Sequence, residues 1–202
     1  MAATTSRILA GVAGAAFAAF PLLRPWDDKL GDVTEMAHAF ASPLWPLSHV
    51  SGMVGWAALA GAIATSVRRG WWTWVAPVGV AALLPYYGVE AFGLNGLART
   101  ALESGNLDLL QAESVMRNSP LQLSLFAAGL VLAAAGTIGW AMTTRGRARW
   151  FAVATAVLVA AYLPQFFAPP AVRTAHGIAL ALALFGVAAW SRRTRAGARG
   201  AE

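Results

Sequence analysis

Apolar residues are gathered along the chain into six blocks, which polar connections separate. The blocks cover about residues 8–23, 44–67, 71–94, 121–142, 150–167 and 172–190. About 20 consecutive apolar residues are enough for a helix to cross the hydrocarbon core of a bilayer. The pattern therefore predicts an all-α protein, a polytopic membrane bundle of six transmembrane helices that forms a single domain over residues 1–202.

The first of the two longer connections, residues 24–43, carries the pattern of a short amphipathic helix. Asp32 and Glu35 have capping-box spacing, and apolar residues then recur at helical spacing from Val33 to Phe40. We expect this helix to lie along the outer membrane surface, because its apolar stripe needs a surface against which it can be buried.

The second longer connection, residues 95–120, predicts another short amphipathic segment on the same side. Asn106 can cap it, and Leu109 begins its apolar face. We expect its charged residues, among them Glu113 and Arg117, to be solvated.

Charge is distributed unequally between the two sides that alternating helices would create. One side carries ten basic residues and one acid, whereas the other carries five basic residues and eight acids. The basic residues of the first side are Arg7, Arg68, Arg69, Arg145, Arg147, Arg149, Arg192, Arg193, Arg195 and Arg199; those of the second are Arg24, Lys29, Arg99, Arg117 and Arg173. The positive-inside rule then predicts that both termini are cytoplasmic.

The N-terminal block also has features of a cleaved signal peptide. Arg7 precedes it, and Ala16, Phe17 and Ala18 form a small-residue site. Cleavage there would leave five helices and place the new N-terminus outside, which argues against a signal peptide. The alternative nevertheless stays open.

Composition narrows the classes of function. With 58% apolar and 12% charged residues, the chain has the composition of a membrane protein. It has no cysteine, which excludes disulfides, thiol catalysis and iron–sulfur clusters. Arginine replaces lysine at almost every basic position, as is typical of high-GC bacteria, so we expect a bacterial inner (plasma) membrane protein. Its expected partner is the lipid bilayer rather than nucleic acid, and self-association of the chain stays open.

Glu90 is the only acidic residue inside a predicted span, so it is the first candidate for chemistry. Ionisable groups are costly in a bilayer and usually face a cavity or a partner. Tyr86 and Tyr87 lie one turn before Glu90, and Pro85 is expected to bend the helix there. Burial would favour a protonated carboxyl group, a candidate proton donor.

Two other interpretations of these polar residues stay open. Glu90 can be a structural ion pair with Arg173 or Arg99, and either histidine of the outer helix ends can be an ordinary core histidine.

Alternating helices bring further polar residues to the depth of Glu90. His49 lies near the start of the second span, Gln165 lies near the end of the fifth, and Arg173 and His176 lie near the start of the sixth. We predict a pocket in which Glu90, Tyr86, Tyr87 and His49 are catalytic and the remaining residues bind substrate. The substrate-binding set is Trp45, Phe92, Gln165, Phe166, Arg173 and His176. No metal-binding motif is present in the sequence, and no cofactor is predicted.

Three strings carry a resemblance to known proteins. Leu84 to Leu94 reads LPYYGVEAFGL, Leu163 to Gly177 reads LPQFFAPPAVRTAHG, and Ser48 begins SHVSGMVGW. They resemble a group of small bacterial six-helix membrane proteins, and this resemblance implies a fold but no activity.

A looser resemblance rests on a lone intramembrane acid among many aromatic residues, which is similar to the integral-membrane terpene cyclases. It implies protonation of an isoprenoid, followed by cyclisation or isomerisation. Those enzymes carry a second acid, and here that role would fall to Asp28, Glu35 or a tyrosine.

The leading hypothesis is therefore a membrane-embedded enzyme in which Glu90 protonates an apolar, lipid-soluble substrate such as an isoprenoid. Three alternatives remain. His49 and His176 can be the axial ligands of a haem, the chain can be a proton-coupled carrier, or it can be an accessory membrane subunit without chemistry of its own, for which glycine-lined helix faces would be the functional surface.

Overall fold

The computed structural model describes residues 2–29 and 31–191, and every regular element in these ranges is helical. Short 3-10 turns cover Asp27–Lys29 and Leu107–Gln111, and a π-helical turn covers Val89–Gly93. The α-helices in chain order are α1 (Ala2–Leu23), α2 (Val33–Ala41), α3 (Leu44–Ala64), α4 (Trp72–Gly88), α5 (Leu94–Ser104), α6 (Ala112–Asn118), α7 (Pro120–Thr143), α8 (Ala148–Ala160), α9 (Tyr162–Gln165) and α10 (Pro170–Trp190).

Five helices in the described part are long and apolar enough to cross a membrane. They are α1, α3, α7, α10 and one continuous helix of 33 residues, Trp72–Ser104, in which α4 and α5 are joined through the π-helical turn. The fifth apolar block instead forms α8, which has 13 residues, and the four-residue α9. Since 13 helical residues extend only about 20 Å, six crossings stay a prediction.

The long helices alternate in direction, so the bundle has two distinct ends. At one end, which we call the cavity end, the last turns of α1 and α4 meet the first turns of α3, α7 and α10 around a cavity. At the opposite end, Ser6, Arg68, Thr143 and Arg145 line a shallow depression. The described basic residues assigned to the cytoplasmic side therefore lie around the end away from the cavity, while Arg192, Arg193, Arg195 and Arg199 lie outside the described residues.

Helix α2 forms where the capping pattern predicts it, but its apolar face meets protein. The Asp32 carboxylate accepts hydrogen bonds from the backbone N–H groups of Thr34 and Glu35, at 2.7 and 3.0 Å. Those bonds lower the pKa of Asp32. Ala37 and Phe40 are buried in a cluster that includes Trp45 and residues of α5. Helix α5 therefore covers the apolar face of α2, so the membrane surface is not the only surface against which that face is buried.

Small residues allow a close helix contact between α4 and α7. A Cβ atom built on Gly79 would lie 2.5 Å from the backbone nitrogen of Ala133 and 2.7 Å from the carbonyl oxygen of Gly129. A Cβ on Gly136 would likewise meet Ala76 at 2.6 Å. Close approach of this kind is how helices associate when lipid removes the hydrophobic driving force.

We expect Gly79→Ala to destabilise the bundle, because its methyl group would meet backbone atoms that cannot move independently. The expected loss is about 1–3 kcal/mol, the usual cost of overpacking. Thermal unfolding in detergent measures it. Gly96→Ala is the matched control, since nothing lies within 4 Å of its added Cβ, and it should leave the midpoint unchanged or slightly raised. Equal midpoints for the two variants would contradict the close α4–α7 contact.

Candidate functional site

Glu90 lies in the π-helical turn that joins α4 and α5 and is buried, with 4% of its surface exposed. The turn begins four residues after Pro85, whose ring removes one backbone donor from the helix. Single π-helical turns within α-helices occur frequently at functional sites. Trp45 fixes this turn from α3, because its indole N–H donates to the carbonyl oxygen of Glu90 at 2.6 Å.

Arg117 is the ion-pair partner of Glu90. Its Nε lies 2.7 Å from Oε1 and its Nη2 lies 2.8 Å from Oε2, so the contact is bidentate. Glu113, one turn earlier on α6, binds the same guanidinium group. Burial opposes the charge of Arg117, but the two carboxylates outweigh it and raise the pKa of Arg117 above its usual range. The expectation that Arg117 and Glu113 are solvated is therefore wrong.

His49 faces the other side of the Glu90 carboxylate. Its Nδ1 lies 2.8 Å from the carbonyl oxygen of Trp45, which can only accept, so Nδ1 carries a proton. Its Nε2 is then the nitrogen that can gain or lose a proton, and it lies 3.7 Å from Oε2 of Glu90. The pair can move a proton to or from a molecule held beside it.

A second group of charges lies at the end of α1. Arg24 Nη2 donates to Oδ2 of Asp28 at 2.8 Å, and Lys29 lies 3.3 Å from the same oxygen. The Arg24 guanidinium group also stacks 4.2 Å from the ring of Trp26 and 4.6 Å from that of Trp45. Burial lowers the pKa of Arg24; Asp28 acts against that shift, and the nearby charge of Arg173 adds to it.

These groups surround a cavity of about 240 Å³ at the cavity end. Charged and hydrogen-bonding side chains form part of its wall, namely Arg24, Lys29, His49, Glu90, Glu113, Arg117, Asn118 and Arg173. Aromatic rings form the rest, namely Phe20, Tyr86, Tyr87, Phe126, Tyr162 and Phe166.

Beneath the charged groups, aromatic side chains form a hydrogen-bonded layer. The hydroxyl of Tyr87 accepts from the indole of Trp56 at 3.1 Å and lies 3.0 Å from the hydroxyl of Tyr162. All three side chains belong to the main buried core. This layer closes the bottom of the cavity toward the middle of the bundle.

Most of the predicted site residues meet. His49, Tyr86, Tyr87, Glu90, Phe166 and Arg173 all line the cavity, and Trp45 packs directly behind it.

Besides Trp45, three predicted residues do not line the cavity. Phe92 is 60% exposed, so its assignment to the pocket is corrected: the π-helical turn places Glu90 inward and Phe92 outward. Gln165 and His176 line a separate, much smaller pocket. His176 Nε2 also contacts the carbonyl oxygen of Leu158 at 2.8 Å.

The sequence prediction missed four charged residues that build the site, Arg24, Lys29, Glu113 and Arg117, and it named Asp28 only as a possible second acid. One signal was present in the sequence. Arg24 with Asp28, and Glu113 with Arg117, have the four-residue spacing of helical ion pairs.

Comparison with protein families, curated proteins and solved structures gives no match to this chain. The described residues also contain no group of three side chains suited to hold a metal ion. His49 and His176 line different pockets, so the arrangement does not favour a haem held between them.

We expect Glu90→Gln to destabilise the protein, because the amide leaves a buried cation with a weaker partner. Breaking a buried pair costs about 3–5 kcal/mol, and Glu113 should keep the loss near the lower end. Thermal unfolding in detergent measures the effect.

Two further variants test this explanation of the Glu90→Gln effect. The exposed Glu103→Gln on α5 should leave the midpoint unchanged. Glu90→Gln combined with Arg117→Met should recover much of the lost stability, since no unpaired charge remains. A fully stable Glu90→Gln variant would contradict the pairing.

Proposed function

We propose that the chain is a six-crossing membrane protein that binds a lipid-soluble amphiphile in the cavity. The observation that carries the proposal is the cavity itself, which joins charged groups to aromatic walls inside a bundle whose outer surface is apolar. Ligand sites combine apolar walls with a few polar groups in this way.

The sixth crossing is supported by the path of α8 and α9. Ala148, at the start of α8, lines the depression at the opposite end, whereas Tyr162, in α9, lines the cavity. The two helices thus run the length of the bundle, although a break at Ala161 separates them. Neighbouring α7 and α10 flank the shorter helix, which allows it to cross without a full 20 residues.

The proposed orientation places the cavity in the outer leaflet and both termini in the cytoplasm of a bacterial cell. Its support is the excess of arginine in the short connections of the opposite end, since such connections set topology. A ligand would then enter from the outer half of the membrane, and α2 and α6 would lie on the outer side.

A second candidate function, favoured by the 3.7 Å contact between His49 and Glu90, is an enzyme that transfers protons on the bound molecule. Arg117 holds Glu90 as a carboxylate, so Nε2 of His49 is the group that exchanges a proton with the bound molecule. An isoprenoid that gains a proton at one carbon and returns one to His49 from another would be isomerised. Tyr86, Phe126 and Phe166 present ring faces that stabilise the cation between these steps. Recovery of a rearranged prenyl chain would distinguish this enzyme from a binding protein.

Topology is tested with reporter fusions. A reporter inserted at Gly105 should report the outside, and reporters at Gly146 and after Glu202 should report the cytoplasm, because the connections rich in arginine resist translocation. A cytoplasmic signal from Gly105 would contradict the proposed orientation, and an outside signal from Glu202 would contradict the number of crossings.

Ligand binding is tested with farnesol, a neutral prenyl alcohol, added to protein in nanodiscs. Binding should change tryptophan fluorescence, since Trp26 and Trp45 adjoin the cavity through Arg24. Phe166→Ala should weaken binding about tenfold, the effect of removing one aromatic contact surface. The adjacent Phe167, which is exposed and outside the cavity, provides the matched control as Phe167→Ala. Equal affinities for both variants would place the binding elsewhere.

A further inference from the structure

Arg173 differs from the other charged residues of the cavity wall because no carboxylate of the described residues neutralises it. Arg24 and Lys29 share Asp28, and Arg117 is held by Glu90 and Glu113. The Arg173 side chain is buried and makes no hydrogen bond or ion pair with any residue in the described ranges 2–29 and 31–191. Its guanidinium group instead stacks 5.0 Å from the ring of Phe166 and 5.1 Å from that of Trp26.

Arg24 adds unused donors beside Arg173. Its Nη2 binds Asp28, but its Nε and Nη1 are buried and have no hydrogen-bond partner among the described residues. Both arginines stack on the ring of Trp26, so two positive charges share one aromatic side chain. Buried cations repel one another and cost free energy unless an anion or a hydrogen-bond acceptor compensates them.

The charged groups in and beside the cavity wall also include one more positive charge than negative charges. Four basic side chains of the wall, Arg24, Lys29, Arg117 and Arg173, stand against the carboxylates of Glu90 and Glu113 in the wall and that of Asp28, which pairs with Arg24 and Lys29. Two guanidinium groups with free donors match the oxygen atoms of a phosphate or carboxylate group.

The wall on the other side of Arg173 suits a hydrocarbon chain. The rings of Tyr86 and Phe126 stack at 4.3 Å, and Phe166 lies 5.8 Å from Phe126. Phe166 thus joins the aromatic patch to the guanidinium group of Arg173. A molecule with an anionic head and an apolar tail would fill both parts of the cavity at once.

We propose that Arg173 and Arg24 form a binding site for an oxyanion, the phosphate-ester head group of an amphiphile whose tail lies against Tyr86, Phe126 and Phe166. The inference names the ligand class of the cavity and so rests on the proposed function. It also explains why a bundle in the membrane keeps an arginine without a partner: the ligand supplies the missing negative charge.

The test compares three probes in nanodiscs, each followed by tryptophan fluorescence: farnesyl phosphate, farnesol and inorganic phosphate. Farnesyl phosphate should bind at least about tenfold more tightly than farnesol, as expected for charge-assisted hydrogen bonds. Arg173→Gln should remove that difference while leaving farnesol binding unchanged. Arg99→Gln, an exposed arginine at the same end of the bundle, is the matched control and should keep the preference.

Thermal unfolding separates binding from folding, because Arg173→Gln strands no carboxylate and should not lower the midpoint without ligand. Farnesyl phosphate that binds no better than farnesol would overturn the oxyanion site and leave the amphiphile cavity standing. If neither prenyl probe binds, the proposed function fails as well. If inorganic phosphate binds as tightly as farnesyl phosphate, the oxyanion site is supported, but the proposal that the oxyanion is the head group of an amphiphile is overturned.

Discussion

The buried pair of Glu90 and Arg117 is the contact on which the cavity end depends. A carboxylate placed inside a membrane bundle is stable only if a cation and hydrogen bonds compensate it. Arg117 provides both in one bidentate contact. The contact requires the helix that begins at Trp72 to run on through α5 and the chain to return through α6, so the pair also determines the path of the connection between α5 and α7.

Other elements are arranged around that pair. Asn95, on α5, donates to the carbonyl oxygen of Phe40 at 2.6 Å and so holds α2 in place. The ring of Phe40 lies 5.0 Å from the Arg117 guanidinium group, and Trp45 hydrogen-bonds the Glu90 backbone. A helix that the sequence placed on the membrane surface thereby packs against the charged site. Below it, the layer of Tyr87, Tyr162 and Trp56 satisfies its own hydroxyl and indole groups.

The same pairing changes how Glu90 can act. An ionised carboxylate held at both oxygens is poorly suited to donate a proton, which favours a positioning role for Glu90 and assigns proton exchange to the facing nitrogen of His49. It also isolates Arg173 as the cation left over once every carboxylate of the wall has a partner. The ligand that we propose would bring negative charge with it, and the proton-transfer and binding proposals concern the same cavity.

Features that depend on local composition could be predicted before the structure was known. An apolar run of about 20 residues is long enough to cross a bilayer whatever its neighbours are, so the long helices could be predicted in order. Asp32 caps α2 through backbone groups two and three residues away, which is also a local matter. Glu90 could be selected because a lone acid in an apolar run is costly in any fold.

Which side chains meet depends on how the helices pack, and local composition could not predict it. Arg117 lies 27 residues from Glu90 in a connection whose composition is that of a solvated loop, and the pair forms only because Gly105, with φ of +67°, reverses the chain after α5. Phe92 was assigned to the wrong face because the π-helical turn shifts the angular position of each residue away from the α-helical period. Arg173 looked like a natural partner for Glu90 by depth alone. Depth along the membrane follows from sequence, but position around the bundle depends on helix packing, and helix packing left Arg173 beside Trp26 and Phe166 instead.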